Sequence, residues 1–193
     1  MTAAMNRLRR ECADFFNQIY IGERRVLVFG EGDERAPFML VGEAPGEKEA
    51  LEGKPFAGMA GRKLDELLQS VDLPRNALYI TNAIKFRPTK LSKMGRTINR
   101  APTHEEIALC RPWLMKEITL INPKLIITLG NTALYAVTKS DRVIGDVHGS
   151  VINIDGIPPV FALYHPASVE YRKLSADSYK QDLSALRHIM QTV

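Results

Sequence analysis

The apolar run Pro37-Phe38-Met39-Leu40-Val41 ends abruptly in Gly42-Glu43-Ala44-Pro45-Gly46, a turn of glycine and proline around one acid. A run this short, bounded by turn residues, predicts a buried strand. A second glycine-rich turn, Lys54-Pro55-Phe56-Ala57-Gly58, follows closely with an aromatic at its centre. In open α/β sheets ligands gather at the carboxyl ends of strands. The chemistry of this chain is therefore expected at that turn.

The remaining pattern alternates strands with helices. Residues 4–19 read as a helix, and 26–29 and 38–41 as short strands around a turn at Glu31-Gly32-Asp33. Residues 62–71 place Leu64, Leu67, Leu68 and Val71 on one helical face. A strand over 78–84 follows. Thr103 and Glu106 form a capping-box pair that opens a helix to about residue 121, just before Pro123. Residues 124–130 are the clearest buried strand, and Asn131 or Thr132 starts a short helix after it. Strands over 151–154 and 160–164 flank Asp155-Gly156, and 175–190 reads as a final helix. Such alternation predicts a mainly parallel sheet covered on both faces, an α/β/α sandwich. With 193 residues the chain is expected to form one domain over 1–193, able to bury about 70% of its unfolded surface. The long irregular stretch, residues 87–100, reads as a functional loop.

No apolar run is long enough to span a bilayer, and the basic residues near Met1 precede no apolar leader segment, so a cytoplasmic protein is expected. The two cysteines, Cys12 and Cys110, cannot complete a four-ligand metal site, and packed thiols are the simple reading. The net charge of +4 says little until its placement is considered. Lys85, Arg87, Lys90, Lys93, Arg96 and Arg100 are six bases without an intervening acid. Such a block suits phosphate contact, and it equally suits a solvated loop.

Two glycine motifs carry no nucleotide-binding signal. Gly30-x-Gly32 precedes a strand rather than a helix, and Gly53-Lys54 is followed by Pro55 where a phosphate loop needs Ser or Thr. The stronger candidates end strands: Glu43, Asn82 and His165. Each has a structural account, as an exposed turn residue, a loop cap and a residue before Pro166. Together they supply an acid, an amide and an imidazole, a workable catalytic set. Phe56 among glycines is either a cap over the core or a stacking platform for a planar ligand.

These residues carry a resemblance. Gly42-Glu43-Ala44-Pro45-Gly46 with Gly53-Lys54-Pro55-Phe56-Ala57-Gly58 and Gly61 resembles the first motif of family 4 uracil-DNA glycosylases. Asn82 in Thr81-Asn82-Ala83-Ile84-Lys85 and the segment His165-Pro166-Ala167 are similar to two further motifs, and the likeness runs from Cys12 to Arg172. It implies a three-layer α/β/α sandwich with a central, mainly parallel four-stranded sheet. It also implies a hydrolase that excises uracil from DNA and leaves an abasic site, and a monomer is the default expectation. By this likeness Phe56 would stack on a flipped-out uracil, Asn82 would read its edge, and Gly42 and Ala44 would line it. His165 would donate to O2 of the leaving base, and Glu43 would face the sugar and position water. Two alternatives stay open: a non-catalytic DNA-binding relative, and a glycosylase for another deaminated base such as hypoxanthine.

The departures are informative. The family usually holds a four-iron, four-sulfur cluster on four cysteines. Cys12 and Cys110 match two of them, while Phe15 and Phe86 stand at the other two. Phenyl rings cannot ligate iron, so the chain is expected to carry no cluster and no metal, with Phe15 and Phe86 packed near the two thiols. The segment around Thr89 to Arg96 is longer than usual and brings Lys90, Lys93 and Arg96, expected to lie against DNA or to be mobile without it. After His165-Pro166-Ala167, Ser168, Val169, Tyr171 and Arg172 should form the wedge that fills the gap left by the flipped base, although Glu170 near phosphates is unexpected.

Overall fold

The computed structural model describes residues 1–23, 25–166 and 175–192. Helix α1 (Ala3–Ile19) starts at Thr2, whose hydroxyl accepts from Met5 N, and it buries Met5, Leu8, Cys12 and Phe16. Strand β1 (Glu31–Gly32) is followed by β2 (Phe38–Gly42), α2 (Glu47–Glu52), α3 (Met59–Ser70) and β3 (Leu78–Asn82). Next come β4 (Thr89–Leu91), β5 (Thr97–Asn99), α4 (His104–Ile121), β6 (Leu125–Leu129) and α5 (Gly130–Thr138). Then follow α6 (Ile144–Val147), β7 (Val151–Ile152), β8 (Val160–Leu163) and α7 (Ala176–Thr192). The expected capping box of α4 is present, with Thr103 N donating to Glu106 Oε2 at 2.8 Å and Glu106 N to Thr103 Oγ1 at 3.2 Å.

The main sheet runs β1-β3-β2-β6-β8-β7. Its centre, β3-β2-β6-β8, is parallel throughout, and β1 and β7 are antiparallel edge strands. Among the described residues the sheet therefore has six strands rather than the expected four. The extra pair are two-residue edges, too short to show an apolar alternation. One of them, Glu31-Gly32, occupies the stretch read as a turn. The strand expected over 26–29 is reduced to a bridge between Leu27 and Phe86.

Alternation along the parallel strands creates two cores. Met39, Val41, Tyr79 and Ile126 pack with α1, α4 and α5 on one face. Leu40, Ile80, Ile127 and Phe161 pack with α3 and α7 on the other. Three layers result. Helix α3, which leads from β2 towards β3, and α5, which follows β6, lie on opposite faces, so the order reverses between these neighbouring strands. That is the switch point where an open sheet leaves a crevice.

Candidate active site

At the switch point the strand register brings candidate residues together. Gly42 pairs with Asn82 at the ends of β2 and β3. The two chains stay bonded past their strands, through Ala83 N to Gly42 O at 2.8 Å and Ile84 N to Glu43 O at 3.0 Å. A Cβ on Gly42 would stand 2.5 Å from Phe56 Cζ and 2.4 Å from Asn82 Oδ1. The Phe56 ring and the Asn82 amide thus converge on one bare stretch of backbone, and glycine is the residue that leaves room for both.

Phe56 combines the two roles weighed from sequence. It is buried in the core formed by Leu40, Leu64 and Ile80, and its edge reaches Gly42. Its φ of 54° is left-handed, uncommon for an aromatic, and the surroundings hold it there. Arg75 Nη2 donates to Pro55 O at 3.2 Å and Phe56 O at 3.4 Å. Gly61 admits the same carbonyl, since a Cβ there would lie 1.8 Å from Phe56 O. Buried Glu49 ties the two glycine turns together, accepting from Gly46 N at 3.1 Å and Gly58 N at 2.8 Å.

Glu43 is half-buried, and its Oε2 accepts from the Thr132 hydroxyl at 2.8 Å, across the switch point. His165, half-buried two residues past β8, lies beside Gly130, whose Cβ position is 3.7 Å from His165 Cβ. Burial lowers the imidazole pKa from its ordinary value, and the negative charge of Glu43 partly opposes this. Neutral imidazole is therefore favoured at neutral pH, close enough to Glu43 to feel its charge. Ala44, next to Glu43 in the same turn, is half-buried. Glu49 and Thr132 had no assigned role in the sequence reading. A glutamate three residues after the Gly46 turn and a threonine opening a helix after a strand are the signals that mark them.

Lys85 departs from expectation. Its side chain is 1% exposed, and Nζ donates to Thr81 Oγ1 at 2.9 Å, to Asn82 O at 2.9 Å and to Glu117. Glu117, also buried, accepts in addition from Tyr79 OH at 3.1 Å, Thr81 Oγ1 at 3.0 Å and Gly30 N at 3.3 Å. This lysine supports the strand end that carries Asn82 and does not face a phosphate. The carboxylate that draws it inside sits on α4, remote in sequence.

The rest of the basic block forms a hairpin, β4–β5, rather than an irregular loop. Lys90, Lys93 and Arg96 are exposed on it. Arg87 and Arg100 hold its root. Arg87 Nε donates to Asn99 Oδ1 at 2.6 Å and pairs with Glu47 at 3.2 Å, and Arg100 grips Glu106 through both terminal nitrogens at 2.7 Å. A cleft of about 310 Å³ lies between Arg25, Phe86, Arg87 and Arg100, but each of these guanidiniums is already paired with a carboxylate. Ser168, Val169, Tyr171 and Arg172, with Ala167, lie outside the described residues.

Cys12 and Cys110 sit fully buried in one core with Phe16 and Phe86. Burial pushes the Cys12 thiol up to about 12 and the Cys110 thiol up to about 11. Phe86 fills its place as expected. Phe15 is half-buried against Trp113, with centroids 5.4 Å apart, and it is Phe16 that meets Phe86 edge to face at 5.6 Å. Among the described residues no group of three or more His, Cys, Asp or Glu could hold a metal. A four-thiolate cluster does not fit this set, which offers two thiols held in their protonated form and aromatic rings around them.

Fold and strand order together define an α/β/α protein whose candidate residues gather at the strand ends beside the switch point. The sequence profile of the Uracil DNA glycosylase superfamily matches residues 29–187. A type-4 uracil-DNA glycosylase of Archaeoglobus fulgidus is 38% identical over 165 residues, covering 81% of this chain and 78% of its own. One from Thermotoga maritima is 39% identical over 145 residues, covering 75% and 71%. The crystal structure of SMUG2 from Pedobacter heparinus shares the fold, with a TM-score of 0.52 at 15% identity over 94% of this chain and 83% of that one. The chain belongs to the uracil-DNA glycosylase superfamily.

Proposed function

We propose that this chain hydrolyses the N-glycosidic bond of deoxyuridine in DNA, releasing uracil and leaving an abasic site. The observation that carries the reading is the convergence of Phe56 and Asn82 on bare Gly42, with Glu43 next in the chain. A flipped uracil stacks on Phe56 and lies against the backbone of Gly42 and Ala44. The Asn82 amide accepts from N3–H and donates to O4. Cytosine presents the opposite pattern there and is refused.

Water attacks C1′ as the N1–C1′ bond breaks, and the bonding pair leaves with the base as negative charge shared with O2. The neutral His165 imidazole donates its N–H to that oxygen. Glu43 faces the positively charged sugar and takes the proton from water, its carboxylate fixed by the Thr132 hydroxyl. Losing one such aimed donor costs about 10²- to 10³-fold in rate. Lys90, Lys93 and Arg96 meet DNA phosphates, Arg87 and Arg100 brace the hairpin that carries them, and Ser168, Val169, Tyr171 and Arg172 supply the wedge.

The protein acts as one domain over 1–193, a cytoplasmic monomer without a cluster. Among the described residues no helix is long and apolar enough to cross a membrane. Iron and acid-labile sulfide assays on anaerobically purified protein are expected to read zero. The deciding experiment incubates the protein with single- and double-stranded oligonucleotides containing uracil, then cleaves abasic sites with alkali. Strand cleavage that vanishes in Asn82→Ala and His165→Ala is expected. No cleavage at uracil overturns the reading, and cleavage only at hypoxanthine reassigns the base.

A further inference from the structure

The β4–β5 hairpin carries more than phosphate contact requires. Its strands pair Thr89 with Asn99, Lys90 with Ile98 and Leu91 with Thr97. The turn is closed by Ser92 N to Arg96 O at 2.8 Å and Gly95 N to Ser92 O at 2.9 Å, and the Ser92 hydroxyl accepts from Arg96 N at 3.0 Å. Gly95 has a φ of 73°, the left-handed conformation a three-residue hairpin loop needs at that position. The tip is therefore defined in shape. At it stands Met94, 85% exposed, with Leu91 72% exposed on the strand below. Ile98 on the partner strand is also exposed, at 39%, and Met94 and Leu91, the most exposed, have no packing role within the fold.

Their setting points to one partner. Lys93 and Arg96 flank Met94, Lys90 lies behind it, and the sequence from Arg87 to Thr103 holds no acid. Among the described residues no carboxylate pairs with these three bases. A cationic rim around an apolar point complements a polyanion whose interior is apolar, which describes stacked duplex DNA. The root is fixed to the candidate site: Arg87 bonds Asn99 and also Glu47, at the start of α2, and Asn99 Nδ2 lies beside Gly46. At roughly 3.3 Å per strand residue, the hairpin projects about 10–15 Å from that root.

We infer that Met94 is an apolar finger that enters the base stack of duplex DNA beside the extruded nucleotide, while Lys90, Lys93 and Arg96 hold the adjoining phosphates. The inference rests on the glycosylase reading and adds to it a contact specific to duplex. Unstacking a base step is costly, and a side chain that covers the exposed base faces lowers that cost where a nucleotide has left the stack. An unbranched thioether adapts its shape to either neighbouring base.

The test uses matched single- and double-stranded oligonucleotides with 2-aminopurine next to the uracil, and measures excision and fluorescence together. Met94→Ala is expected to lower the ratio of duplex to single-strand kcat/KM by about tenfold and to abolish the protein-induced rise in 2-aminopurine fluorescence. Met94→Leu should restore both. Lys90→Glu/Lys93→Glu/Arg96→Glu should weaken binding to both substrates and flatten its salt dependence. An unchanged ratio and signal in Met94→Ala overturns the inference, as does capture of an acidic protein by the tip with no Met94-dependent signal on DNA. Should the wild type release no uracil, the glycosylase reading fails alone, because a Met94-dependent signal on bound duplex still supports the finger.

Discussion

The Thr132 hydroxyl donates to Glu43 Oε2 at 2.8 Å, joining the turn after β2 to the first residues of α5. One carboxylate oxygen is thereby committed, and the other is aimed by it. Thr132→Val keeps the shape and removes the donor. Its kcat for uracil release is expected to fall by about 10- to 100-fold with KM little changed, and Thr132→Ser should restore it. Single-turnover excision separates this from a loss of binding.

Gly42→Ala inserts a methyl group 2.5 Å from Phe56 Cζ and 2.4 Å from Asn82 Oδ1. Both side chains have to move. The expected thermal destabilisation is modest, about 1–3 kcal/mol, while uracil excision drops by about 10²-fold or more because recognition and stacking are displaced together. Melting curves and excision assays on the same preparation check the two effects against each other.

Lys85→Met leaves the Glu117 carboxylate buried without its cation. A loss of about 3–5 kcal/mol in unfolding free energy is expected. The double variant Lys85→Met/Glu117→Gln should be less destabilised than the sum of the singles, since no bare charge remains. Urea unfolding of the four proteins of the cycle measures the coupling. Lys85→Met also frees Asn82 O, so a raised KM in the part of the population that stays folded is the accompanying kinetic sign.

The pH behaviour follows from His165. Its folded pKa lies below the ordinary histidine value because burial disfavours the imidazolium. Uracil release is therefore expected to stay level through neutral pH and to fall only below the usual histidine range. Unfolded chain binds the proton more tightly than folded chain, so this group's contribution to stability is full above about pH 6.5 and declines as pH falls below it. Glu43→Gln removes a charge that opposes the shift, so imidazole titration by NMR should move to still lower pH.

The sequence made the buried scaffold readable, and left the polar interior hidden. Residues 125–129 and 38–42 are continuous apolar runs between turns, and Thr103 with Glu106 states a helix start outright. Glu43, Asn82 and His165 stand out as candidates because they end such runs, and Phe56 because it sits among glycines. Lys85 did not, because a lysine reads as solvated until Glu117, placed by another helix, is seen behind it. The choice between Phe15 and Phe16 turned on helical phase: Phe16 continues the Met5, Leu8, Cys12 stripe into the core, and Phe15 lies beside it. The edge strands β1 and β7 have two residues each, below the length at which any period can be read.

Those same edges set how this protein behaves in a crowd. A sheet grows by offering a neighbour a row of unpaired amides and carbonyls, and long flat borders recruit other chains. Here each border is a two-residue antiparallel strand, and one carries exposed Glu31. The parallel interior, the part most prone to template further pairing, is fenced on both sides before it reaches solvent. At high concentration the folded molecule should stay dispersed, and any aggregation should begin from unfolded chain rather than from native molecules joining edge to edge.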